Sequence, residues 1–501
     1  MESEPAALPD DALAEVLRRL PPHVLAEARR VCKAWRDAVD DRLRSSLLSR
    51  SVRGIFINFS GQYFSEFFSR PSTGPAIDGG FNFLPCMSVE VKDHCDMGVK
   101  VKDHCNGLLL CRESSYRALP CPREYVVNPA TRRWARLPKR PPPLMPGFHH
   151  TAHLAFEPAV SPHYQVFLVP RVHRESRDHD DNPLLELEWP PASYLVDVFS
   201  SVTQRWDTTI FLREGEAAGI IADMQLDWWY VPSLYHAVYW QSALYIHCQH
   251  GYLTRMSLSD HSYRVIKLPG ADEWIVYSNH RLGRSSQGVY CAILDGSILD
   301  GSKRLQVWYL SESCGRIEWV LKHDTHLKTV YAQQLGRQWI LQQVNLRNED
   351  PEHKVPVDEK CDYDWNSDED NILDTEDVVE EAVDVIEDEE HISYGFLGFH
   401  PYKEDLGSSR TCQEYGTPYG ETGVSFPYTP CWVSAFPGNE LESLLLDEKL
   451  CRNKLELEAQ LEQESYFTYM GEYELRKQSG RAKRVKDFAA KIRRRHHIAA
   501  R

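Results

Sequence analysis

From Gly54 to about residue 346 the sequence has no stretch of strong helical periodicity, and this limits the possible folds more than any other feature. In its place stand short β-branched and aromatic runs between turn formers. Examples are Gly54-Ile55-Phe56-Ile57-Asn58-Phe59, Gln165-Val166-Phe167-Leu168-Val169, Ala237-Val238-Tyr239-Trp240, Ala243-Leu244-Tyr245-Ile246 and Leu305-Gln306-Val307-Trp308-Tyr309-Leu310. So long an all-β region must close or stack its sheets to hide their edges, and radial blades are one common solution. A loose repeat points the same way. Asn128-Pro129-Ala130-Thr131-Arg132-Arg133-Trp134 is echoed by Ser201-Val202-Thr203-Gln204-Arg205-Trp206 and by Tyr263-Arg264-Val265-Ile266-Lys267, each reading as a turn feeding a strand. Trp134 and Trp206 lie 72 residues apart, an uneven spacing from which no blade number follows.

The first 50 residues carry the opposite signal. After Leu8-Pro9, Asp10 and Asp11 suit the free N–H groups of a helix start, and Leu13, Val16, Leu17 and Leu20 recur at helical spacing until Pro21-Pro22. A second amphipathic stretch sets Val24, Ala28, Val31, Cys32, Trp35 and Val39 against Glu27, Arg29, Arg30, Lys33 and Arg36. Three short helices enclose little core, so apolar surface is expected to remain for a partner.

The net charge of −16 is more than accounted for by residues 349–390, where 20 Asp and Glu face only Lys354 and Lys360 for a local net of −18, leaving +2 elsewhere. Such a run repels itself and buries little, so it is expected to be a disordered, solvated insert. Beyond residue 438, Leu444, Leu445, Leu450, Leu457 and Leu461 among many charges suggest a solvated helix. The last 21 residues carry nine Lys and Arg against Asp487, a pattern that suits nuclear import or a solvated basic helix end. Thirteen Cys without a C-x-x-C fit reduced thiols in cytoplasm or nucleus. No apolar run approaches a membrane span, and Met1-Glu2-Ser3-Glu4 does not read as a signal peptide.

Sites of chemistry are sparse. His94-Cys95 and His104-Cys105, with Cys111 and Cys121 nearby, offer zinc-type ligands, but they arise from a duplicated Val-Lys-Asp-His-Cys and lack knuckle spacing, so no metal is expected. His247-Cys248 with His250 is a weaker form of the same pattern. A second duplication, Ile-Leu-Asp-Gly-Ser at 293–297 and 298–302, reads as a lengthened hairpin loop. No nucleophile elbow, H-E-x-x-H or phosphate loop occurs, and no cofactor is expected. Trp228-Trp229-Tyr230, the densest aromatic cluster, suits packing between sheets or a ligand surface.

Three blocks together resemble a known module. Leu8-Pro9-Asp10-Asp11-Ala12-Leu13, Val16-Leu17-Arg18-Arg19-Leu20-Pro21 and Val31-Cys32-Lys33-Ala34-Trp35-Arg36 are similar in order and spacing to the F-box, which docks on the Skp adaptor of cullin-based ubiquitin ligases. The resemblance implies adaptor contacts, direct or supporting, at Leu8, Pro9, Leu13, Val16, Leu17, Leu20, Pro21, Val31, Cys32 and Trp35. Residues His104-Cys105-Asn106-Gly107-Leu108-Leu109-Leu110-Cys111, Asn128-Pro129-Ala130-Thr131, Gly395-Phe396-Leu397-Gly398-Phe399-His400-Pro401 and Phe426-Pro427-Tyr428-Thr429-Pro430-Cys431 resemble the F-box-associated β domain of large plant F-box families.

The expected architecture is therefore α+β and multidomain. A three-helix F-box over 5–48 precedes an all-β, propeller-like domain over 52–346, the acidic insert 349–390, a closing β segment 391–436 and a helical, basic tail 439–501. The expected function is a non-catalytic substrate receptor of a Skp–cullin–F-box ligase, with the Skp adaptor and cullin reached through the F-box and an unknown protein target held by the β domain. A binding scaffold outside any ligase is the alternative. Neither membrane nor nucleic acid is expected as a partner, and catalytic residues are expected to be absent.

Overall fold

The computed structural model describes residues 9–59, 62–69, 75–87, 97–115, 122–143, 148–172, 186–224, 237–248, 251–270, 279–296, 303–313, 316–327, 340–342, 399 and 422–433. The acidic run 349–390, the tail beyond residue 438, Leu8, Trp228-Trp229-Tyr230, the 91–95 copy of one duplication and the 298–302 copy of the other lie outside these residues. The described helices and sheets belong to one compact unit.

Three helices open the chain: α1 (Asp10–Leu17), α2 (Pro22–Ala28) and α3 (Lys33–Arg42). Pro9 occupies the cap of α1, and neither Asp10 nor Asp11 closes it through a side chain as the sequence suggested. Both carboxylates still sit in the first turn, where the helix dipole favours them, and Asp11 accepts from Arg42 Nη1 at 2.5 Å, tying α1 to α3. The prolines also act differently from expectation. The first helix ends at Leu17, short of Pro21-Pro22, and those two residues begin α2 as its cap and first position, where a missing N–H is harmless. Extended backbone at Cys32 splits the second amphipathic stretch into α2 and α3, which Arg29 joins by a forked pair to Asp40 at 2.8 and 2.7 Å.

The strands follow as β1 (Gly54–Phe59), β2 (Ser65–Ser69), β3 (Met97–Cys105), β4 (Leu108–Ser115), β5 (Glu124–Asn128), β6 (Arg133–Arg136), β7 (Phe148–Phe156), β8 (Tyr164–Val172), β9 (Glu188–Trp189), β10 (Ser193–Ser200) and β11 (Arg205–Arg213). After β12 (Gly219–Ile220) come β13 (Ala237–Trp240), β14 (Ala243–His247), β15 (Tyr252–Ser257), β16 (Ser262–Lys267), β17 (Asn279–Arg284), β18 (Val289–Gly296), β19 (Lys303–Ser313), β20 (Arg316–Leu327), β21 (Ile340–Gln342) and β22 (Thr422–Tyr428). Strands β3 to β6 and β17 to β20 each form a four-stranded sheet in chain order. An eight-stranded sheet runs β13-β14-β15-β16-β11-β10-β8-β7, and it is nearly closed because its end strands β7 and β13 touch. Its one parallel pairing, Leu212 and Arg213 of β11 with Ser262 and Tyr263 of β16, divides it into two antiparallel meanders of four strands. A two-stranded ribbon pairs β12 with β9, and the last sheet, β21-β2-β1-β22, joins the beginning of the β region to its end.

The repeat legible in the sequence has a structural counterpart. Arg132, Gln204 and His261 adopt left-handed φ of 55°, 57° and 55° immediately before β6, β11 and β16, so the hairpin into the fourth strand of three meanders turns alike. The two-residue turns Asn106-Gly107 and Gln241-Ser242, with positive φ at both residues, play the same part between first and second strands, a geometry that matches strand twist. At Gly107 any β-carbon would stand 2.5 Å from Cys431 Cβ, so closing the last sheet over this turn requires glycine.

Apolar clusters lie between successive four-stranded units, whether separate sheets or the two halves of the eight-stranded one. One gathers Phe56 and Phe67 with Leu109, Tyr125, Val127 and Tyr428, and another joins Val196, Phe211, Leu244, Met256 and Tyr263. Glu66 interrupts the pattern: it lies opposite Ile57 in the ladder, is buried, and burial alone pushes its carboxyl up to about 7. The unfolded chain ionises near 4.5, so wild-type stability should fall as pH rises from about 4.5 to about 7 and level off above. Glu66→Gln should therefore raise stability by about 2 to 3 kcal/mol at pH 8 and change little at pH 4. Urea unfolding at both values checks this, and equal midpoints at pH 8 would mean that the carboxylate is solvated.

Candidate functional site

The surface of the N-terminal helices follows from their periodicity. Leu13, Leu17, Leu25 and Val39 turn inward, with Leu17 fully buried, and they share a core with Leu43 and Leu47. On the outside stand Val16 at 55% exposure, Val24 at 37% and Val31 at 63%, with Pro9, Pro21 and Cys32 also exposed. Leu20 and Trp35 are half-buried against the core. Of the ten residues named from sequence, Leu8 lies outside the described residues and the other nine separate by exposure. Leu13 and Leu17 shape the module from within and offer no surface to a partner in this conformation. Pro9, Val16, Pro21, Val31 and Cys32 offer surface, and Leu20 and Trp35 offer an edge of it. Val24, on the apolar side of the second stretch but not among the ten, is exposed as well.

The chain after α3, with His23 of α2, is fixed to the sheets through the segment that follows β22. Trp432 N donates to Leu47 O at 2.9 Å, Ser49 N donates to Pro430 O at 2.9 Å, and Leu48 bridges Cys431. The His23 ring lies 5.8 Å from that of Trp432. These bonds hold the exposed valines in a set relation to the β region rather than on a loose tether.

Within the β region a cavity opens where β3, β13, β17 and β22 approach one another, lined among others by Asp103, Asn106, Tyr239, Arg281, Arg284 and Phe426. Asn106 is held from two sides: its Nδ2 donates to Phe156 O at 2.6 Å, and its Oδ1 accepts from Arg284 Nη2. Asp103 accepts from His104 N at 2.9 Å and from Leu154 N at 2.7 Å, with His153 Nδ1 3.8 Å away. Burial lowers the pKa of His104 and of His153, against the opposing pull of Asp103. Burial pushes the Cys105 thiol up to about 12, and its Sγ donates to Phe156 O, so it is no nucleophile at neutral pH. The cavity therefore presents positioned hydrogen-bonding groups suited to holding a ligand. Among the described residues no cluster of three or more His, Cys, Asp or Glu side chains is placed to hold a metal, and no helix is long and apolar enough to cross a membrane.

Comparison with known proteins places an F-box domain over residues 6–47, a span that includes all three helices and the exposed valines. F-box domains bind the Skp adaptor within Skp–cullin–F-box complexes, and proteins that carry them are typically non-catalytic substrate receptors. No curated protein matches the chain. Among solved structures, a mutant of the GH43 protein BlXynB from Bacillus licheniformis is 8% identical, with 45% of this chain and 41% of that chain covered and a TM-score of 0.24. BBS1N in complex with ARL6DN is 11% identical, with 46% and 53% covered and a TM-score of 0.22. This chain thus spans about half or less of either structure, and likenesses of this degree carry no argument about fold or function.

Proposed function

We propose that this chain is the substrate-recognition subunit of a Skp–cullin–F-box ubiquitin ligase, acting in cytoplasm or nucleus. The observation that carries the reading is an F-box domain whose apolar residues Val16, Val24 and Val31 offer one side to solvent while another, at and beyond Leu47, is hydrogen-bonded to a large β region. The first side docks on the adaptor. The second fixes the distance from adaptor to target, so that target lysines are held at high effective concentration near the ubiquitin-carrying enzyme. The β region reads as a five-bladed propeller of the F-box-associated kind. Four four-stranded meanders and the sheet β21-β2-β1-β22 support this, with β22, β3, β7, β13 and β17 in contact in that order. In this reading the cavity mouth and the loops around it receive the target protein.

The test is a comparison of tagged full-length chain with a variant lacking the F-box, in cells with the proteasome blocked. The Skp adaptor and cullin should co-purify with the first bait only, together with proteins that gain ubiquitin in its presence. Recovery of the adaptor without cullin would replace the ligase reading with a scaffold outside it.

A further inference from the structure

The cavity between β3, β13, β17 and β22 is lined by more positive than negative side chains. Arg281 and Arg284 reach it from β17, an end strand of its sheet, and Asp103 is the one carboxylate among the described lining residues. His104 lines it too, but burial lowers its pKa, so the ring is uncharged at neutral pH. Asp103 gives its oxygens to backbone amides, accepting from His104 N at 2.9 Å and from Leu154 N at 2.7 Å, with His153 Nδ1 3.8 Å away. Arg284 Nη2 donates to Asn106 Oδ1, a neutral oxygen whose own amide nitrogen is fixed on Phe156 O at 2.6 Å. That bond positions the guanidinium and leaves its charge unchanged.

Apolar groups complete the lining. Phe426 of β22 and Leu282 of β17 contribute, and Phe399 stands so close to β17 that any β-carbon at Gly283 would collide with its ring. Glycine there lets the ring close the wall beside Arg284. The cavity measures about 80 Å³, and at roughly 10 to 15 Å³ for each water-sized group it admits a molecule of about five to eight non-hydrogen atoms. A stretch of peptide exceeds that room.

We propose that this cavity binds a small monocarboxylic acid, with Arg281 and Arg284 holding the carboxylate and Phe399 and Phe426 covering a short carbon chain. A planar guanidinium matches a carboxylate through two parallel hydrogen bonds, and the attraction is stronger in a partly enclosed site than in water. One negative charge brings the two arginines and Asp103 to neutrality, whereas a phosphate dianion would overshoot. The inference deepens the receptor reading, in which the target meets the mouth of this cavity. Its test needs neither adaptor nor target, so a failure here leaves capture of the Skp adaptor as it stands.

Saturation-transfer NMR of propionate titrated with the full chain tests the proposal, with propionamide as an uncharged probe of the same size. Propionate should bind saturably, and propionamide roughly tenfold more weakly or worse, about 1.4 kcal/mol. Arg281→Gln should weaken propionate by a similar factor at an unchanged unfolding midpoint. If that variant loses stability, Ser425→Leu, which fills the cavity from β22 without removing a charge, should abolish binding in its place. The comparison of the two probes on the unmodified chain stands in either case. No saturable binding of propionate, equal binding of propionamide, or undiminished binding of propionate by a folded variant overturns the site.

Discussion

Aspartate at both Val16 and Val31 should reduce capture of the Skp adaptor at least a hundredfold while leaving the unfolding midpoint nearly unchanged. Both side chains face solvent in the isolated chain, so the substitutions remove no core packing. In an apolar interface each new carboxylate would be desolvated without a partner, at a cost of several kcal/mol, whereas a hundredfold loss needs only about 2.7 kcal/mol. Leu17→Asp would also abolish capture, but by unfolding the module, since Leu17 is fully buried. The valine pair therefore separates docking from folding. Full capture of the adaptor by a folded double variant would remove these residues from the interface.

A chain ending at residue 421 should lose cooperative folding of the β region altogether. It would lack β22 and the segment that follows, and with them Val424, Phe426, Tyr428, Cys431 and Val433, all buried. At about 1.5 to 3 kcal/mol for each large apolar side chain, the loss is of the same order as the whole net stability of a domain, about 5 to 15 kcal/mol. Polar ties would go as well. Tyr428 Oη accepts from Ala130 N at 3.1 Å, and Asn128 Nδ2 donates to Cys431 O at 2.9 Å. The exposed edge of β1 would then be free to pair with other chains. Circular dichroism during heating should show no sharp transition. A transition close to that of the full chain would mean that β1 and β2 are held without β22.

The parts of this protein legible in its sequence are those that neighbouring residues decide. Helical spacing of Leu13, Val16 and Leu17 announces α1, and the turn residues at Asn128 and Ser201 announce hairpins whose backbone proves alike, whereas the third echo, from Tyr263, lies inside β16 and past its turn at His261. The prolines at 21 and 22 were visible but misassigned, because a proline pair is compatible with ending one helix or beginning the next, and only the chain's actual path selects the second.

Spacing alone could not say which apolar residues of the module meet solvent. Val16 and Leu17 are neighbours of similar hydrophobicity, yet one is 55% exposed and the other fully buried, since the packing of α1 against α3 chooses the inward face. The charged cavity was equally hidden. Asp103 and Asn106 lie far along the chain from Arg281 and Arg284, and the four become neighbours only where β3 and β17 converge on one cavity. The pairing of β1 with β22 sets Gly54 opposite Tyr428, and no local pattern specifies so distant a partner. Local sequence specifies the kinds of element, several of the turns between them and the N-terminal module, because these depend on propensities and on contacts a few residues apart. Tertiary structure alone decided which faces were buried, which strands closed the last sheet and which charges met, because those choices arise from packing and register between residues far apart in the chain.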